Sequence, residues 1–120
     1  MSVHCSLVVL RVEVARVSGD PVADALRDAF LLRYEQSGAT HAIVDMAEVT
    51  YLSSVGIGPL LALNRKVRER EGRLILCSMS ENVEGVFQAT KLIGSAHGTL
   101  ATFEHHADVV GAVGCLYKGE

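Results

Sequence analysis

The chain is 120 residues long, 49% hydrophobic and 21% charged, with a formal net charge of −3. That length holds one domain with a substantial core and not two ordinary ones. The acidic balance, with no long basic stripe, excludes an electrostatic grip on nucleic acid as the main activity.

The opening "CSLVVLRVEVARV" reads as two β-rich pieces, the second alternating Val12, Val14 and Val17 against Arg11, Glu13 and Arg16 as a half-exposed strand does. Those charges interrupt the apolar run well short of the ~20 residues that span a bilayer, so neither a signal segment nor membrane insertion is expected. In "SGDPVADALRDAFLLRYEQSG" Asp20 is placed to cap a helix and Pro21 suits its first position. Val22, Leu26, Ala29, Phe30 and Arg33 follow at helical spacing, and Gly38 stops the helix.

"THAIVDMAEV" holds a short apolar strand, Ala42 to Val44, ending on Asp45. Being continuous rather than alternating, it reads as a central strand covered on both faces. After the turn "YLSSVGIG", Gly56, Leu60, Leu63 and Val67 form one helical stripe, with Arg65, Lys66, Arg68, Glu69 and Arg70 on the opposite side, and the helix ends near Gly72. "RLILCSM" is the next buried strand and "SENVEGVFQATKL" the next helix, capped by Ser80. "TLATFE" is a last strand and "HHADVVGAVGCL" a last helix. No linker, repeat or composition break divides the chain, so residues 1–120 are read as one domain. Strands alternating with helices from Ala42 onward imply right-handed parallel crossovers, hence an α/β fold with a mixed, mostly parallel sheet and about four helices.

The two hydroxyls of Ser53 and Ser54 lie at a strand-to-helix junction, where α/β domains commonly place function. One of them can serve simply as a helix cap, worth about 1 kcal/mol. A nucleophile is not indicated: it needs a base, and the G-x-S-x-G elbow is absent because Leu52 stands two residues before Ser54. A P-loop is not indicated either, since no Lys follows Gly58.

The ordered pattern "IVDMAEVTYLSSVGIGPLLALNRKVREREGRLILCSMSENVEGVFQATKLI" resembles the STAS domain, the family of sulfate transporters and anti-sigma-factor antagonists, and "VSGDPVADALRDAF" is similar to that family's first strand-to-helix junction. The resemblance implies a STAS-like single domain. It places Asp45 at the family's strand-end acid, Ser54 at its phosphorylatable serine, and Gly56, Ile57 and Gly58 at its glycine-apolar-glycine segment. Ser53 stands where the family usually has Asp, which makes it an alternative acceptor. Pro59 is unusual for the family and brings no N–H to the helix.

What the resemblance implies about function is a binding switch. The chain would be an anti-sigma-factor antagonist, not an enzyme and without a cofactor. Its partner would be an anti-sigma factor that is also a serine kinase, met through Asp45, Ser53, Ser54, Val55, Gly56, Ile57 and the exposed side of the following helix. Association into a homodimer is left open. The alternatives are a non-switching STAS module of a transport system or stress-sensing scaffold, and a small-ligand or nucleotide sensor using the region of Asp45 and Ser54.

The remaining chemistry-bearing residues point to nothing further. His105 and His106, beside Glu104 and Asp108, lack a third ligand at useful spacing and read as a solvated loop rather than a metal site. "RKVRER" reads as a solvated helix face. Cys5, Cys77 and Cys115 are widely spaced with no C-x-x-C pair. No disulfide framework is expected, Cys77 reads as a small core residue, and a reducing, cytoplasmic setting fits.

Overall fold

A computed structural model describes residues 6–89 and 103–118. The elements in chain order are β1 (Leu7–Arg11), β2 (Arg16–Val17), α1 (Asp20–Ser37), β3 (His41–Asp45), β4 (Tyr51–Leu52), α2 (Ser54–Glu69), β5 (Leu74–Cys77), α3 (Glu81–Ala89), β6 (Glu104–His106) and α4 (Val109–Lys118). The main sheet has the order β1-β3-β5-β6, and β2 and β4 form a separate two-stranded ribbon. Every pairing among these strands is parallel, with Ile43 set between Val9 and Ile75. The mostly parallel α/β fold with four helices is therefore the one expected.

The two inner strands are apolar throughout because both of their faces are covered. Ala42, Val44, Leu74 and Leu76 point into a core shared with α1, α2 and α3, while Ile43, Ile75 and Cys77 point to a smaller core closed by Ala112 and Leu116 of α4. Alternation along a strand sends neighbours to opposite faces, so both faces demand apolar residues. Burial also raises the Cys77 thiol pKa to about 11, which keeps it protonated as the small core residue it was expected to be.

The second β-rich piece behaves differently from its alternation. Only Arg16 and Val17 are strand; Val12 gives its N–H to Asp45 at 3.1 Å, and the chain then leaves the sheet to run beside β4. Val14, expected inward with Val12 and Val17, is exposed.

α1 has the expected span, with two corrections. Its cap is Gly19 (φ 83°), without a side-chain cap bond, so Asp20 lies in the first turn, where its charge meets the positive helix end. The inward face carries Ala23, Phe30 and Tyr34, with Leu26 half-buried, while Ala29 and Arg33 face solvent. The buried side is thus rotated from the one read in the sequence. Tyr34 takes the place because its hydroxyl has a partner: it donates to the Thr40 carbonyl at 2.6 Å. The Arg70 guanidinium lies 4.8 Å from its ring centroid, and burial raises the phenol pKa.

α2 presents its stripe as expected: Gly56, Leu60, Leu63 and Val67 are buried, while Arg65, Arg68, Glu69 and Arg70 are exposed. Gly72, just beyond, is required by close approach, since a Cβ there would sit 1.9 Å from the Thr40 carbonyl oxygen. Ser80 caps α3 as expected, its Oγ accepting the Val83 N–H at 3.3 Å.

The last strand runs past its expected end, and the last helix starts later than expected. Residues 99–102 of the expected strand lie outside the described residues, as do Cys5 and the end of the α3 segment. The described strand takes in His105 and His106, which are therefore not a loop. Asp108 caps the last helix instead, its Oδ1 accepting the Gly111 N–H at 2.7 Å.

Candidate functional site

Because the strands are parallel, their carboxyl ends gather at one pole, and the serine turn is built there. β3 ends on Asp45, which is 6% exposed. Its Oδ1 accepts the Ala47 N–H at 3.0 Å and its Oδ2 lies 3.6 Å from Arg11 Nε. That carboxylate holds the start of the loop. The Thr50 and Tyr51 amides then donate to the Ala15 carbonyl at 2.7 and 3.1 Å, which starts the β2–β4 ribbon. The Ser53 amide donates to the Val17 carbonyl at 3.0 Å, so the ribbon fixes the backbone up to the first residue of α2, Ser54.

Ser53 is the residue that caps α2, with extended backbone (φ −88°, ψ 169°), and its own carbonyl accepts the Gly56 N–H at 2.9 Å. Its Oγ makes no cap bond and is buried without a hydrogen-bond partner among the described residues. An unpaired buried hydroxyl costs about 1–3 kcal/mol. The residue that the family usually replaces by Asp therefore turns its oxygen inward here.

Gly56 is explained by space. A Cβ would lie 2.6 Å from Leu52 Cδ1 and 2.8 Å from the Val17 carbonyl oxygen, so the first turn of α2 presses on the ribbon with nothing between. Gly58 has no such neighbour within 4 Å. Ile57, expected at the contact surface, is 3% exposed and belongs to the core. Val55 is 45% exposed, so of the apolar residues expected to meet a partner it alone is presented. Pro59 sits inside α2 without ending it. It has no N–H for the Val55 carbonyl, which leaves that acceptor beside the exposed turn.

Two features around the turn were not visible in the sequence. Tyr51 is exposed, with the Arg16 guanidinium 4.5 Å from its ring centroid. Between α1 and α2 runs a groove of about 320 Å³ lined by Asp20, Asp24, Arg27, Val55, Leu61 and Arg65. Both depend on elements brought together from distant parts of the chain, and no local pattern announces them. The arrangement is a surface: an exposed apolar residue, an aromatic-cation pair and a mixed-charge groove around a helix N-terminus. The acids beside the histidines are otherwise engaged, Glu104 with Arg73 and Asp108 at the α4 cap. Among the described residues no helix is long and apolar enough to cross a membrane.

Comparison with known proteins places these features in a family. A STAS domain family model matches residues 20–109. BtrV of Bordetella bronchiseptica, named as a candidate anti-sigma factor antagonist, is 28% identical over 61 residues; the match spans 51% of this chain and about half, 53%, of that protein's length. The crystal structure of TM1081 from Thermotoga maritima, also named a candidate anti-sigma factor antagonist, superposes with a TM-score of 0.74 at 15% identity, over 91% of this chain and 87% of that one. The anti-sigma factor antagonist SpoIIAA in its unphosphorylated form gives a TM-score of 0.64 at 19% identity, over 100% of this chain and 96% of the other. At such identities the structural likeness speaks for the fold alone. With the family model covering three quarters of its length, from the start of α1 into α4, the chain belongs to the STAS domain family.

Proposed function

We propose that this chain is an anti-sigma-factor antagonist whose unphosphorylated form binds an anti-sigma factor that is also a serine kinase, frees a sigma factor, and is released when Ser54 is phosphorylated. The observation that carries this reading is the division of labour at the serine turn: Ser54 opens α2 beside exposed Val55 and Tyr51, while the Ser53 oxygen is buried. The similarity to BtrV supports the antagonist role. ATP is consumed by the partner, the chain itself performs no catalysis, and the exchange takes place in the cytoplasm.

The physics of the switch follows from the position of Ser54. A phosphate adds about −1.5 to −2 charge. At a helix N-terminus the free amides and the dipole tolerate that charge, so the domain keeps its fold. A partner surface lying on Val55 and Tyr51 is instead confronted with a new, hydrated anion and dissociates. Titration calorimetry against the kinase-like anti-sigma factors of the same genome tests the reading. A one-to-one complex with one of them is expected, and binding to none transfers the chain to the non-switching transport or scaffold modules.

A further inference from the structure

We propose that the outer edge of β1 is a dimerisation surface that receives the same edge of a second copy of this chain. β1 stands first in the sheet order and pairs only with β3 among the described strands. The Ser6 carbonyl accepts from the His41 amide at 3.0 Å, and the Val12 amide donates to Asp45 at 3.1 Å. Successive residues of a strand turn their N–H and C=O groups to alternate sides. The even-numbered residues therefore face β3, and the backbone groups of Leu7, Val9 and Arg11 face outward. Val9, in the middle, is 43% exposed, because α4 packs chiefly on β3, β5 and β6 and leaves this edge uncovered. A row of open backbone groups with an apolar centre, and neither Pro nor Lys to block it, is a template for another strand.

The charges beside this edge select the occupant. A groove of about 380 Å³ runs along β1, with Leu26 and Phe30 of α1 on its wall and Glu13 and Arg33 at its margins. Neither Glu13 nor Arg33 forms an ion pair among the described residues. The reason is direction. α1 carries the chain back to a strand parallel to β1, so Arg33 lies toward the Leu7 end of the groove and Glu13 lies at the Arg11 end. A two-fold axis reverses the strand in the second copy. Each Glu13 then comes alongside the other copy's Arg33, and the two open edges pair as antiparallel strands. The charges that are separated within one copy are complementary between two.

Light scattering and sedimentation of the 120-residue chain from micromolar to near-millimolar concentration test the proposal. A concentration-dependent dimer is expected. Glu13→Arg and Arg33→Glu should each weaken it by about tenfold or more, and the two together should restore it. Val9→Lys should give a monomer, and thermal melts of all variants should match the parent at a concentration low enough for the parent to be monomeric. A chain that stays monomeric throughout, a dimer indifferent to the charge reversals, or a double reversal that fails to restore association overturns the proposal. The anti-sigma contact proposed above uses other residues, so the calorimetric result and this one fail separately.

Discussion

Ser53 and Ser54 are neighbours in sequence, one at the end of the ribbon and the other at the start of α2. The ribbon hydrogen bond to Val17 fixes Ser53 with its oxygen turned into the protein, and the helix begins with Ser54. We predict that Ser54→Ala abolishes phosphorylation by the cognate kinase and preserves binding. Ser54→Asp should weaken binding by about tenfold or more through the added charge. Phosphopeptide mass spectrometry with calorimetry checks both, and phosphate found on Ser53, or undiminished labelling of Ser54→Ala, refutes the assignment. At this scale the sequence was readable where a motif named the position, as at Gly56. The reason for Gly56 was not readable, because it lies in the approach of Val17 and Leu52. Ile57 and Asp45 show the same limit: a motif marks them, and only packing reveals that one fills the core and the other ties down a loop.

Elements were legible to the extent that one face meets one core. α2 has a strong apolar stripe against a charged face, and the four residues that spacing selects are all buried, with Ile57, Pro59 and Asn64 buried beside them. Leu63 is fully buried at its centre, so Leu63→Ala should cost about 2–5 kcal/mol of stability. A chemical-denaturation midpoint close to the parent's would mean that the helix face is misplaced. α1 was less legible because Tyr34 competes for the inward side, and its burial depends on a carbonyl at Thr40 that no helical periodicity anticipates. The β2–β4 ribbon was missed for a related reason: two residues on each strand carry no period at all. The last strand was ended two residues too soon because His105 and His106 are polar, as an edge strand with exposed positions permits.

For the whole molecule, alternation of strands and helices was enough to predict a parallel sheet, whereas strand order needed the structure. His41 shows what holds the sheet at its amino end. Its Nδ1 accepts the Arg73 N–H at 2.9 Å, and Arg73 in turn pairs with Glu104, linking the starts of β3, β5 and β6. Burial, helped by the Arg73 charge and opposed by Glu104, lowers the imidazole pKa below its usual 6.5. The folded state therefore favours neutral His41, and its contribution is fully present above that pH and is lost as pH falls toward the lower, folded value. A melting temperature that declines below about pH 6.5 is expected, with a flatter profile in His41→Asn, whose side-chain oxygen still accepts the Arg73 N–H. Identical pH profiles for the two proteins would remove His41 from this role.

The parallel sheet also decides how this domain can be carried by something larger. Ser6 enters at the amino pole, and α4, which starts where β6 ends, runs back over Ile43 and Ile75 toward that same pole. Both ends of the described chain thus leave from the side opposite the serine turn. A tether, a neighbouring domain or an affinity handle can be attached at either end while Val55 still faces outward, which makes the module portable with the serine-turn pole left uncovered.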